Sequence, residues 1–132
     1  MTKIAILGSA PSSISMAPVN DQEWDIWACS PPNYALDRVD AWFELHNLDR
    51  KFIPINVPYQ HALMAHPRVY ITKPDERLPE GILFPWEQLV GQYGPYFFSS
   101  SIAWMMAFAI AHKPDKIGLW GVDMSANSEY EY

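Results

Sequence analysis

Two ionisable side chains one residue apart, Glu44 and His46 in Glu44-Leu45-His46, form the pattern in this chain best suited to chemistry. In an extended strand alternate side chains share a face, so the two are placed to form an acid–base pair or to supply two metal ligands. No third ligand follows at metal-site spacing, so no metal residue is assigned, and His46 stands as a candidate proton acceptor. A hydrogen-bonded structural histidine at a strand end is the plainer alternative. A second pattern is Gly8-Ser9-Ala10-Pro11-Ser12-Ser13, which joins a turn glycine, a proline and three hydroxyls. Ahead of a helix, such a loop presents N–H groups and hydroxyls to an anion, and a nucleotide phosphate is the natural guest. It carries neither the Gly-x-Gly-x-x-Gly fingerprint nor a P-loop lysine, and serine capping alone also accounts for it. Ser99-Ser100-Ser101 opens an apolar run and offers another helix N-terminus, where Ser100 could hold a base, sugar or phosphate or simply cap. Asp123, after Gly121-Val122, is placed to accept from ribose or sugar hydroxyls, to bind a metal, or to cap the next helix.

The elements that must carry these residues are strands joined by long connections. Lys3 to Leu7 is a short apolar run ended by Gly8, the mark of a central strand covered on both faces. Trp24 to Cys29, Ala41 to His46, Arg68 to Thr72 and Lys116 to Val122 read as further strands, the second of the five stopped by Pro31-Pro32. Turns of helix are expected between Asn33 and Val39 and from Tyr59 to Ala65. Residues 73 to 97 hold four of the twelve prolines and read as an extended excursion with at most a short helix at Trp86 to Val90. Ile102 to His112, capped by serine and followed by Pro114, is the strongest helix signal. No two-residue hairpin turn separates the strands, so the expected fold is α/β: a three-layer, Rossmann-like, mostly parallel sheet with helices on both faces. In such sheets ligands bind beyond the strands' carboxyl ends. The residues delivered there are Gly8, Ser9 and Ser12, then Cys29, Ser30 and Asn33, then His46 and Asn47, and finally Asp123.

Composition narrows the function classes. With 132 residues, 49% hydrophobic and 18% charged, the chain suits one domain spanning 1–132 with a core of its own. The net charge of −6, without a basic run, argues against duplex nucleic acid and anionic membrane surfaces as partners. The longest apolar stretch, residues 102–111, is about half the roughly 20 residues a membrane-spanning helix needs. A single cysteine, Cys29, and no signal-peptide pattern suit a cytoplasmic protein. The acidic and aromatic stretch 128–132 looks like the start of an element, so a further C-terminal portion is expected. An incomplete sheet would leave a strand edge exposed, which favours a homo-oligomer.

In the order of its motifs the chain resembles the superfamily of bacterial lipooligosaccharide sialyltransferases and the related motility-accessory and 6-hydroxymethylpterin pyrophosphokinase-like proteins. Their Gly-x-Gly-Pro-Ser loop is approximated by Gly8-Ser9-Ala10-Pro11-Ser12, with alanine for the second glycine. Their polar strand end is matched by Cys29-Ser30, their Ser/Thr-initiated apolar helix by Ser99-Ser100-Ser101 to Ala111, and their Gly-x-Asp by Gly121-Val122-Asp123. Tyr130 and Tyr132 echo tyrosines that contact the nucleotide phosphate in the sialyltransferases, whose late histidine base has no counterpart here. The resemblance does not touch residues 50 to 97, and in its brevity the chain is also similar to small bacteriophage-borne proteins. It implies a nucleotide or nucleotide-sugar binding domain of glycosyltransferase type. Gly8, Ser9, Pro11, Ser12, Ser13, Ser99, Ser100, Tyr130 and Tyr132 would surround the phosphates. Ser30, Asn33 and Asp123 would contact sugar hydroxyls, with His46 as proton acceptor and Asp123 beside it. No tightly bound metal is expected; magnesium enters only with a pyrophosphokinase-like activity, through Asp123 and Glu129. The rival reading is a non-catalytic, phage-encoded module that binds a nucleotide or a host protein through Phe84, Trp86, Tyr93, Tyr96 and Phe97.

Overall fold

Among the described residues, runs rich in β-branched and aromatic residues form six parallel strands: β1 (Lys3–Leu7), β2 (Trp24–Cys29), β3 (Ala41–Glu44), β4 (Val69–Ile71), β5 (Ile82–Leu83) and β6 (Lys116–Trp120). The computed structural model describes residues 2–8, 14–29, 38–52, 54–94 and 100–122. The strands lie in the order β5-β4-β3-β2-β1-β6, with β1 in register between β2 (Ala5 beside Ile26) and β6 (Ala5 beside Gly118). Three α-helices are present among the described residues: α1 (Val57–Ala65), α2 (Trp86–Tyr93) and α3 (Ser101–Ala111). None of them is long and apolar enough to cross a membrane.

Period-2 alternation divides the core between the two faces of the sheet. Ile4, Ile6, Trp27, Phe43 and Tyr70 face α2 and α3, which add Leu89, Ile102 and Met105. Ala5, Leu7, Ile26, Trp42 and Ile71 face the other way, toward Ile14, Leu48 and the Tyr59 and Leu63 of α1. On the first face Phe43 stacks on Tyr70 with ring centroids 4.6 Å apart and lies 4.9 Å from Trp27. Truncating a ring buried this completely costs about 3–5 kcal/mol. The described parts of the connections stepping from β1 toward β5 pack on one face, and α2 and α3, on the return from β5 to β6, pack on the other, as crossovers of a single hand require. The expected three-layer α/β architecture is therefore the observed one.

Polar ties set the spacing of the connections. The Arg38 guanidinium donates to the Asp40 carboxylate and to the carbonyls of Asp21 and Trp24, joining the approaches to β2 and β3. His66 Nε2 donates to the Val39 carbonyl at 2.7 Å while its Nδ1 accepts the Arg68 N–H at 3.0 Å, a structural role that fixes one neutral tautomer. His112 Nδ1 donates to the Phe108 carbonyl at the end of α3. Arg77 joins the β4–β5 connection to the turn after β3 by donating to Asp75 and Asp49, and its guanidinium lies 4.8 Å from the Phe52 ring. These bonds hold the Asp75 carboxyl down at about 2.

Several boundaries differ from the sequence expectation. The third strand stops at Glu44 rather than His46, and the fourth is confined to Val69–Ile71. The 73–97 excursion contains a strand, β5, and its helix extends to Tyr93. Phe84, expected in an interaction surface, is buried against Phe43 and Phe108 instead, because β5 carries it into the sheet. The last strand ends at Trp120 and forms an edge on which Lys116 and Leu119 are exposed. Most of the helix expected at 33–39 lies outside the described residues.

Candidate functional site

Because every strand is parallel, all the carboxyl ends meet along one edge, and strand order reverses there between β1 and β6. At that reversal Gly8 donates its N–H to the Trp120 carbonyl at 2.8 Å. A Cβ on Gly8 would sit 2.3 Å from the Gly121 carbonyl oxygen. Glycine is required because two backbones approach too closely for any side chain.

The chemistry lies two strands away, where β3 ends. Glu44 is completely buried, and a carboxylate so placed must be surrounded by donors. Three converge on it. The His46 backbone N–H donates to Oε2 at 3.2 Å, the His46 ring Nδ1 lies 3.1 Å from the same oxygen, and the Tyr59 hydroxyl donates to Oε1 at 3.1 Å. The chain delivers these groups by folding back at once. Asn47 accepts the Asp49 N–H to open a 3-10 turn at Leu48–Arg50, and a second turn spans Pro54–Asn56. Pro58 falls in the first turn of α1, where its missing N–H costs nothing. Tyr59 then drops onto β3, its ring edge-on to Trp42 at 5.7 Å. Burial, then the charge of Glu44 and the hydrogen bond to it, hold the Tyr59 phenol protonated far above its ordinary range.

His46 is the partly accessible member, with 39% of its side chain exposed. With Nδ1–H donated to a carboxylate, the neutral imidazole carries its lone pair on Nε2, the arrangement of an oriented general base. The Glu44–His46 pair expected from the sequence is thus formed, although His46 lies just beyond the strand. Tyr59 was missed. It comes from another element, and no local spacing announces it.

No match to this chain is found among family models, curated proteins or solved structures.

Ser100 caps α3, its hydroxyl oxygen accepting the Ala103 N–H at 3.2 Å. Cys29 ends β2 with its thiol 3.7 Å from the Leu7 carbonyl, and its position adds to the electrostatic pressure on Tyr59. Ser9, Pro11, Ser12, Ser13, Ser30, Asn33, Ser99, Asp123, Tyr130 and Tyr132 lie outside the described residues, as do Tyr96, Phe97 and Glu129. Of the expected site residues, Gly8, His46 and Ser100 are described. Gly8 and His46 belong to one edge of the sheet, and Ser100 to the N-terminus of the helix that leads into β6. Among the described residues no group of three or more His, Cys, Asp or Glu side chains could hold a metal ion.

Proposed function

We propose that the chain binds a nucleotide or nucleotide-sugar as part of a transferase of glycosyltransferase type. The observation that carries this reading is an imidazole at the carboxyl edge of a parallel sheet, oriented through Nδ1 by a fully buried carboxylate. Ligands of open α/β sheets bind at that edge, where strand order reverses. In this reading the phosphates lie at Gly8 and the Ser9–Ser13 loop, near the start of α3, while Ser30, Asn33 and Asp123 contact sugar hydroxyls and Tyr130 and Tyr132 face the phosphates. At about 4.8 Å per strand, β3 is roughly 10 Å from β1, which leaves room for a sugar between phosphate and imidazole. Nε2 of His46 takes the proton of an acceptor hydroxyl as its oxygen bonds to the sugar carbon, and the nucleotide leaves with the electrons of the broken bond. We further read the protein as cytoplasmic and as self-associating through the exposed edge of β6.

The test is a thermal-shift screen against nucleoside mono- and diphosphates, CMP- and UDP-sugars, NAD and pterins, with and without magnesium. One class should raise the unfolding midpoint, since ligand at a hundred times its Kd adds about 2.7 kcal/mol. His46→Gln should keep that shift and lower turnover by about 10²- to 10⁴-fold. A shift without turnover of any donor would favour the non-catalytic module, and no shift at all would refute the nucleotide reading.

A further inference from the structure

The carboxyl edge carries a second concavity, on the α2–α3 side of the sheet and opposite the face on which Tyr59 meets Glu44. It encloses about 360 Å³ and is lined by Leu45, Thr72, Lys73, Phe84, Trp86 and Trp104, a volume within the range of small-molecule sites. Half of the described lining is aromatic. Phe84 is part of the core, and the Trp104 indole meets it edge-on at 5.9 Å, so this part of the wall is fixed by packing. Trp86 opens α2 and stays 45% exposed. An indole left this open offers a large flat surface with little conformational freedom to lose.

Lys73 is the one charged group among the described lining residues, and no ion pair among the described residues involves it. Asp75 is close enough to feel its charge, but that carboxylate is already held by two Arg77 donors at 2.9 and 2.7 Å. An ammonium beside aromatic walls, with the Asp75 carboxylate committed to Arg77, is a complement for an incoming acid.

We infer that this concavity is a binding site for a planar aromatic small molecule bearing a carboxylate or phosphate, its ring against Trp86 and Trp104 and its acid on Lys73. The inference stands apart from the nucleotide reading of Gly8 and His46.

The test titrates the whole chain with 1-naphthyl phosphate, 1-naphthol and inorganic phosphate by calorimetry and ligand-observed saturation-transfer NMR. Naphthyl phosphate should bind about ten-fold more tightly than naphthol, the increment of one charge-assisted contact, while inorganic phosphate alone should not bind in that range. Lys73→Met should bring naphthyl phosphate to the level of naphthol, and Trp86→Ala should weaken both aryl ligands about ten-fold. Both side chains are exposed, so melting curves of the variants should overlay the wild type. Equal affinity for the two aryl ligands, full affinity in Trp86→Ala, tight binding of inorganic phosphate, or no aryl binding at millimolar concentration would each overturn the inference. Nucleotide-induced stabilisation that persists in Trp86→Ala separates a failure here from a failure at the Gly8 edge.

Discussion

Deleting the Tyr59 hydroxyl probes the electrostatics that hold the site together. Tyr59→Phe keeps a buried ring edge-on to Trp42 and removes only the donor that lies 3.1 Å from Glu44 Oε1. A hydrogen bond to a charged group contributes about 1.5–3 kcal/mol, and its loss here leaves a buried carboxylate oxygen short of a donor. We therefore expect Tyr59→Phe to lose about 2 kcal/mol. In a Glu44→Gln background the same deletion removes only a neutral hydrogen bond, worth about 1 kcal/mol, so the double-mutant cycle should return a coupling of about 1 kcal/mol. Urea unfolding followed by far-UV circular dichroism supplies the four free energies, provided the m-values agree. The pH dependence has a defined sign. Because folding raises the phenol's pKa, its contribution is complete below the unfolded value near 10 and falls as pH rises beyond it. The Tyr59→Phe deficit should accordingly hold constant from about pH 6 to about pH 9. A deficit below about 0.5 kcal/mol, or a coupling indistinguishable from zero, would refute the claim that Glu44 is stabilised as a buried charge by its donors.

Two other perturbations test how the edge is assembled. Asp75 is held at about 2 against an ordinary value of 3.8, so the stability it gains from Arg77 is present above about pH 4 and is lost as pH falls toward 2. The difference between wild type and Arg77→Ala in equilibrium unfolding should narrow over that window, and a difference that stayed constant through it would contradict the assignment. Gly8→Ala forces a methyl against the Gly121 carbonyl oxygen. The closest atoms it meets are backbone, which cannot swing aside, and thermal unfolding should report a loss of about 1–3 kcal/mol; a neutral substitution would show that the β1–β6 reversal is looser than described.

The legible parts of the fold were those whose physics is local. β1 is buried on both faces and reads as a nearly continuous apolar run, and β2 is stopped by the prolines that follow it, so both were read with the limits observed. Ser100 and the apolar run behind it announced α3. The end of β3 was misjudged because alternation continues to His46, whereas the backbone N–H of His46 leaves the ladder to bond the Glu44 side chain. β5 was invisible for another reason. Two exposed residues, Ile82 and Leu83, between Gly81 and Pro85 contain no period to read, and only pairing with Tyr70 and Ile71 makes them a strand. That pairing also reassigns Phe84 from surface to core. In the site, the pairing of Glu44 with His46 followed from a spacing of two, while Tyr59 reaches Glu44 across fifteen residues and two 3-10 turns.

The same cluster shows which of its members the fold requires. Both oxygens of Glu44 already receive a donor without the imidazole: Oε1 from Tyr59 and Oε2 from the backbone of His46. Those two bonds tie the β3 exit to the first turn of α1, and any residue but proline at position 46 would supply the second of them. The ring contact at 3.1 Å is an addition to a carboxylate that already has a donor on each oxygen, made by a side chain partly open to water. Water competes for the imidazole but not for Glu44, which is completely buried. What the contact does fix is orientation, since it commits Nδ1 as donor and leaves the lone pair on Nε2. The proposed proton-accepting role asks for an imidazole held in this way, and the same contact also gives a buried carboxylate a further donor.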